Sequence, residues 1–119
     1  MITQAQADRF GKDWIEAWNS HDLDRILSHY SEDFLMSSPH IAVIAGEPSG
    51  VLKGKHAVGA YWKKSLSRMP DLHFELLATF AGADSVAIHY NGARGPAIEV
   101  LFFGASGRVE RAAAHYLGK

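Results

Sequence analysis

Glu99 is the residue of this chain most suggestive of chemistry. It stands in Pro96-Ala97-Ile98-Glu99-Val100-Leu101-Phe102-Phe103, where both alternating sets, Ala97/Leu101/Phe103 and Ile98/Val100/Phe102, are apolar. Such a run reads as a strand buried on both faces. A carboxylate set in that much hydrocarbon must be paired, solvated by a cavity or held neutral, because burying an unpaired charge is costly. The chemistry on offer is proton transfer by an acid or base whose pKa is raised by apolar surroundings. The structural alternative is a carboxylate hydrogen-bonded by Trp14, Tyr90 or Tyr116 that only orients its neighbours.

Other residue types give weaker signals. Trp14, Trp18, Tyr30, Phe34 and Trp62 are rings suited to stacking on a ring-shaped ligand, although aromatic side chains at helical spacing more often fill a core. Of the 7 histidines, His21, His29, His40, His56 and His73 fall at turns or polar helix positions without metal-ligand spacing. No metal and no cofactor is therefore expected. Lys53, Lys55, Lys63, Lys64 and Arg68 share a stretch without acids, which reads as a solvated helix face.

Composition narrows the class. The chain has 119 residues, 47% of them hydrophobic and 21% charged, which suits one domain, residues 1–119, with a single core. The absence of cysteine excludes a disulfide framework and cysteine-ligated zinc or iron–sulfur centres. A formal net charge of -1 gives no reason to expect nucleic acid or an anionic membrane as partner. Neither a signal-peptide pattern nor a bilayer-length apolar run is found, so the expected location is cytoplasmic.

The elements that must position these residues follow from periodicity. Thr3 with Gln6 forms a capping-box signature, and Phe10, Trp14, Ala17 and Trp18 then share a helical face, giving a first helix over about residues 4–19. Asn19-Ser20-His21-Asp22 supplies a stop and a new N-cap. Leu23, Ile26, Leu27 and Tyr30 repeat at helical spacing in a short second helix. Alternation from Asp33 through Phe34, Met36 and Ser38 to Pro39 predicts a short strand, which Ile41-Ala42-Val43-Ile44 extends. Residues 45–54 are loop-like, a flap over a pocket. Val58, Trp62, Ser65, Leu66 and Met69 form the stripe of a third helix stopped by Pro70.

Strands fill the remainder. Leu72 to Phe80, Val86 to Tyr90, the Glu99 stretch and Arg108 to Tyr116 alternate at the strand period. Pairing Tyr90 with Ala97 sets Ile88 opposite Glu99, and pairing Phe103 with Arg108 sets Ala112 opposite Glu99 and Leu101 opposite Glu110. Glu99 is then ringed by Ile88, Tyr90, Leu101, Ala112 and Tyr116, with Ala114 on the same face. The other face collects Ala87, His89, Ile98, Val100, Phe102, Val109, Arg111, Ala113 and His115. An apolar second face on an antiparallel sheet calls for a partner, most simply a second copy of the chain.

The run Trp14-Ile15-Glu16-Ala17-Trp18-Asn19-Ser20-His21-Asp22-Leu23-Asp24 leading to Tyr30-Ser31-Glu32-Asp33-Phe34 resembles the nuclear transport factor 2-like superfamily. Gly54-Lys55-His56-Ala57-Val58 and Gly107-Arg108-Val109 bring the chain nearest its SnoaL-like polyketide cyclase and ketosteroid isomerase-related group. The resemblance implies an α+β, cone-shaped, cystatin-like fold: three N-terminal helices packed on a curved, mostly antiparallel sheet around an apolar pocket. Compared with the isomerases, Glu99 falls where that family has a neutral hydrogen-bonding acid. Trp14 falls at the position of its phenol and Ser38 at the position of its general base. Serine does not abstract a proton at neutral pH without a base of its own, so the steroid-type mechanism is not expected.

These readings converge on a homodimer, joined through the outer sheet face, whose pocket holds an apolar small molecule. Glu99 is the expected catalytic acid/base for an isomerase, cyclase or hydratase-type reaction on an apolar cyclic or polyketide-like substrate. Trp14, Trp18, Tyr30, Phe34, Ser38, Trp62, Ile88, Tyr90, Leu101, Ala112 and Tyr116 are the expected ligand-binding residues. The alternative is a non-catalytic ligand-binding or dimerisation module of the same fold.

Overall fold

The computed structural model describes residues 1–118. Helix α1, Gln4–Ser20, begins at the predicted capping box, with Thr3 and Gln6 each capping the other's backbone N–H. It ends at His21, held in the left-handed region at φ 59, and Asp22 then caps α2, Leu23–Leu27. Tyr30 does not continue that helix. It opens strand β1, Tyr30–Ser37, where pairing with Val109 and complete burial outweigh its helical spacing.

After Pro39 the chain forms a π-helical turn, Ile41–Ala45, instead of the expected strand extension. Three hydrogen bonds turn it there. The Ser38 backbone N–H is taken by Gly50, and the Ser38 hydroxyl and carbonyl accept from the His40 and Ile41 N–H groups. The flap region ends in a short strand β2, Val51–Lys53, which pairs with β1 and leads into α3, Gly54–Arg68.

Strands β3, Glu75–Ala81, β4, Ser85–Gly92, β5, Gly95–Phe103, and β6, Val109–Tyr116, complete a curved, open six-stranded sheet of order β2-β1-β6-β5-β4-β3. Among the described residues only the β1–β6 pairing is parallel. The β4–β5 register is the predicted one, with Ile88 opposite Glu99 and Tyr90 opposite Ala97. The β5–β6 register differs by two residues: Glu99 faces Ala114, and Leu101 faces Ala112. A shift of two keeps every side chain on its face, so Ala112 and Ala114 still point into the protein. A bulge between Phe102 and Phe103 turns Val109 into the core, away from the outer face to which alternation assigned it. A second bulge after Leu76 shifts the alternation, so that Thr79 faces Gly11 of α1 and Phe80 is 58% exposed.

The helices cover one face of the sheet. Gly11 lets α1 approach β3 closely, since a Cβ there would collide with the Thr79 methyl. Asn19 ties the end of α1 to the entry of β3: its Nδ2 donates to the Phe74 carbonyl at 2.9 Å and its Oδ1 accepts from the Phe74 N–H at 2.7 Å. Trp14, Trp18, Trp62, Phe74 and Tyr90 pack between helices and sheet with ring centroids 4.7–6.2 Å apart. Among the described residues no helix is long and apolar enough to cross a membrane, and no cluster of three His, Asp or Glu side chains is placed to hold a metal ion.

Candidate active site

Glu99 lies at the centre of β5 on the helix-covered face and is 3% exposed. Alternation sets it between Ala97 and Leu101 on that face, both of them buried. Burial alone pushes its carboxyl up to about 8, with no hydrogen bond or neighbouring charge opposing the rise. The orienting role considered for Trp14 is excluded by geometry, because its Nε1–H donates to the Tyr30 hydroxyl at 2.9 Å. Burial, and after it the charge of Glu99, raises the phenols of Tyr30 and Tyr90, and takes that of Tyr116 to about 12. Four tyrosines thus surround the acid, since Tyr61 also feels its field.

The acid borders a small chamber. Trp14, Trp18, Met36, Ser38, Tyr61, Trp62, Phe74, Tyr90, Glu99 and Tyr116 enclose about 50 Å³ open to the centre of a water molecule. That is room for a few waters, in contact with the one ionisable carboxyl of the lining. The chamber shares Tyr61, Trp62, Phe74, Tyr90 and Tyr116 with an outer cleft of about 90 Å³, so the two adjoin. The cleft adds His40, Ile44, Ser65, Met69, Leu72 and the turn Gly92–Gly95.

Six of the residues expected to bind ligand, Trp14, Trp18, Ser38, Trp62, Tyr90 and Tyr116, meet Glu99 in the chamber wall. Tyr30, Phe34, Ile88, Leu101 and Ala112 do not line it; all five are fully buried behind it. Tyr30 and Phe34 pack on each other at 4.4 Å and on Trp62, which supports the wall from below. Sequence reasoning missed Met36, Tyr61 and Phe74 in the chamber, and His40 and Arg94 in the cleft. Tyr61 carried a usable signal, since it immediately precedes Trp62 on a helix whose other face is basic.

Several polar groups here have no protein partner. Trp18 Nε1 is buried without a hydrogen bond, lying near the Tyr30 hydroxyl but outside bonding geometry. His40 Nε2 is likewise buried and unpartnered. Ser38 lowers the pKa of both the Tyr61 and Tyr116 phenols, and therefore lies between them. Buried donors without acceptors are costly; of the two unpartnered here, Trp18 belongs to the chamber wall and His40 to the adjoining cleft.

The model of the SnoaL-like domain matches residues 12–116. The chain belongs to the SnoaL-like domain family. It is 63% identical to a SnoaL-like protein of unknown function from Burkholderia thailandensis E264, with 98% of each chain covered and a TM-score of 0.95. A putative isomerase of the SnoaL-like family from Agrobacterium tumefaciens C58 matches at 14% identity and a TM-score of 0.76, over 96% of this chain and 99% of that one. The epoxide hydrolase/cyclase-like enzyme SalBIII, which has a role in pyran ring formation in the polyether salinomycin, matches at 16% identity and a TM-score of 0.76, over 98% and 95%. No curated protein sequence matches. At such low identities the last two likenesses concern the fold, and the SnoaL-like architecture here is the one expected from the sequence.

Proposed function

We propose that this SnoaL-like protein is an acid/base enzyme of the isomerase, cyclase or hydratase type. Its substrate is a small, apolar cyclic or polyketide-like molecule, and Glu99 carries the proton. One observation supports this above the rest: a buried carboxyl with no protein hydrogen bond borders a chamber that adjoins a surface cleft. A carboxyl at about 8 is a stronger base than an ordinary glutamate once ionised, and still gives up a proton near neutral pH. That balance suits a group that removes a proton from one carbon and returns it to another. Buried Tyr90, in the chamber wall, keeps its proton and supplies an O–H group beside the reacting atoms.

The test is proton exchange at the α-carbon of small ring ketones in D2O, followed by NMR. Wild type exceeds the buffer rate, and Glu99→Gln loses about 100-fold or more of the excess. Undiminished exchange in the variant removes Glu99 from the reaction. It would then favour a non-catalytic binding module, for which Trp14 supplies a motive, its one donor being committed to Tyr30.

The outer sheet face supports a second copy of the chain as partner. Ile98 is 43% exposed there, with Phe102 half-buried beneath the Arg111 guanidinium at 3.9 Å. With no membrane-spanning helix among the described residues, a cytoplasmic setting is part of the same proposal.

A further inference from the structure

The mouth of the cleft has an electrostatic character that the proton-transfer chemistry does not require. Arg94 extends from the β4–β5 turn, and His40 precedes the π-helical turn across the opening. Arg94 Nη1 lies 3.4 Å from His40 Nδ1. A guanidinium only donates, so Nδ1 is the acceptor and the imidazole proton resides on Nε2. That Nε2–H is the buried group left without an acceptor. The imidazole packs on the Tyr116 ring at 4.2 Å, which fixes its plane.

Around this pair the cleft contains no acid: its lining holds neither aspartate nor glutamate, and among the described residues Arg94 has no carboxylate within ion-pair distance. Burial, and then the Arg94 charge, keeps the His40 pKa low, so the imidazole stays neutral. The field of Arg94 also reaches the phenols of Tyr61 and Tyr116. The mouth therefore offers one exposed positive charge, oriented by the His40 Nδ1, while Met69, Leu72 and Phe74 behind it are apolar.

We propose that the cleft selects ligands bearing a carboxylate, held at the mouth by the Arg94 guanidinium that His40 orients, with the apolar remainder directed inward toward Glu99. One guanidinium beside a neutral imidazole matches a single negative charge, and the guanidinium fork suits the planar carboxylate geometry. The proposal rests on reading the chamber and cleft as a ligand site, and names the class of ligand that the site accepts.

The test uses benzoate, cyclohexanecarboxylate and phenylacetate against their methyl esters, with affinities and binding location read by NMR from the Trp18 and Trp62 indole N–H signals. Wild type binds the carboxylates about tenfold or more tightly than the esters. Arg94→Gln, an exposed turn position whose replacement leaves the core intact, brings that ratio close to one. His40→Phe keeps the packing on Tyr116 but removes the Nδ1 acceptor that orients Arg94, and so lowers the ratio. Glu99→Gln leaves the ratio unchanged, so loss of the catalytic reading and loss of carboxylate selection are separately visible. Equal binding of acid and ester, a ratio that survives Arg94→Gln, or no carboxylate binding at millimolar concentration overturns the proposal.

Discussion

Replacing Glu99 by glutamine should change how stability depends on pH, and the structure fixes both the sign and the scale. An ordinary glutamate carboxyl titrates near 4.5, and burial takes Glu99 to about 8 in the folded chain. Below the lower value both folded and unfolded chains hold the proton, and the acid exacts no ionisation penalty. Above it the unfolded chain releases the proton while the folded chain retains it. Stability then falls by about 1.4 kcal/mol per pH unit. The loss levels off once the folded carboxyl ionises too, near pH 8. Integrated over that window it reaches on the order of 5 kcal/mol, a large share of the stability of a small domain. An amide does not titrate, so Glu99→Gln escapes the whole loss. The assay is urea unfolding of both proteins across about pH 5 to about pH 9, with the variant overtaking wild type at the alkaline end. Shared titrations, such as those of His29 and His40, cancel in the difference. Curves that stay parallel within about 0.5 kcal/mol would refute the burial argument, because they would mean that Glu99 ionises alike in both states.

Three further outcomes follow from the packing. Trp14→Phe removes the indole donor from the Tyr30 hydroxyl and leaves a void beside Phe74 and Tyr90, so urea unfolding should show a loss of about 2–4 kcal/mol. Asn19→Ala deletes both bonds to the Phe74 backbone; it should cost about 1–3 kcal/mol, with faster amide exchange at Phe74 itself. Under the proposed dimer, Ile98→Lys on the outer face should shift wild-type dimer to monomer in light scattering at micromolar concentration, with circular dichroism unchanged.

Most of the fold was legible because its signals are local. The Thr3–Gln6 box, the Asn19–Asp22 stop and the Pro70 limit each act through groups within a few residues. The β4–β5 register followed from a short turn and an alternating pattern. Failures came where tertiary structure overrode the local period. Tyr30 fits the helical spacing of Leu23, Ile26 and Leu27, yet its ring and its backbone are worth more against Val109, Trp14 and Trp62. The bulge after Leu76 leaves no mark in Leu76-Leu77-Ala78, where every residue is apolar, and the one opposite Phe102 and Phe103 falls on Glu110, whose charge reads as an ordinary outward strand position.

The site divides along the same line. Glu99 was legible because a charge inside an apolar strand breaks the pattern that surrounds it. Access to it was not legible, because the mouth is made by two turns that belong to no periodic element: His40 and Arg94 lie 54 residues apart in sequence and meet only when β1 and the β4–β5 turn are brought to the same end of the sheet. This separation has a chemical consequence. The strand sets the pKa of the acid through burial, whereas the turns form the mouth; under the proposed function, substitutions at the mouth change the ligand without disturbing the proton carrier. Chains that keep a TM-score of 0.76 at 14% and 16% identity show that the fold itself tolerates wide sequence change. In this chain the decisive positions are Arg94 and His40: with Glu99 retained and the two of them changed, the pKa near 8 should persist while carboxylate selection disappears.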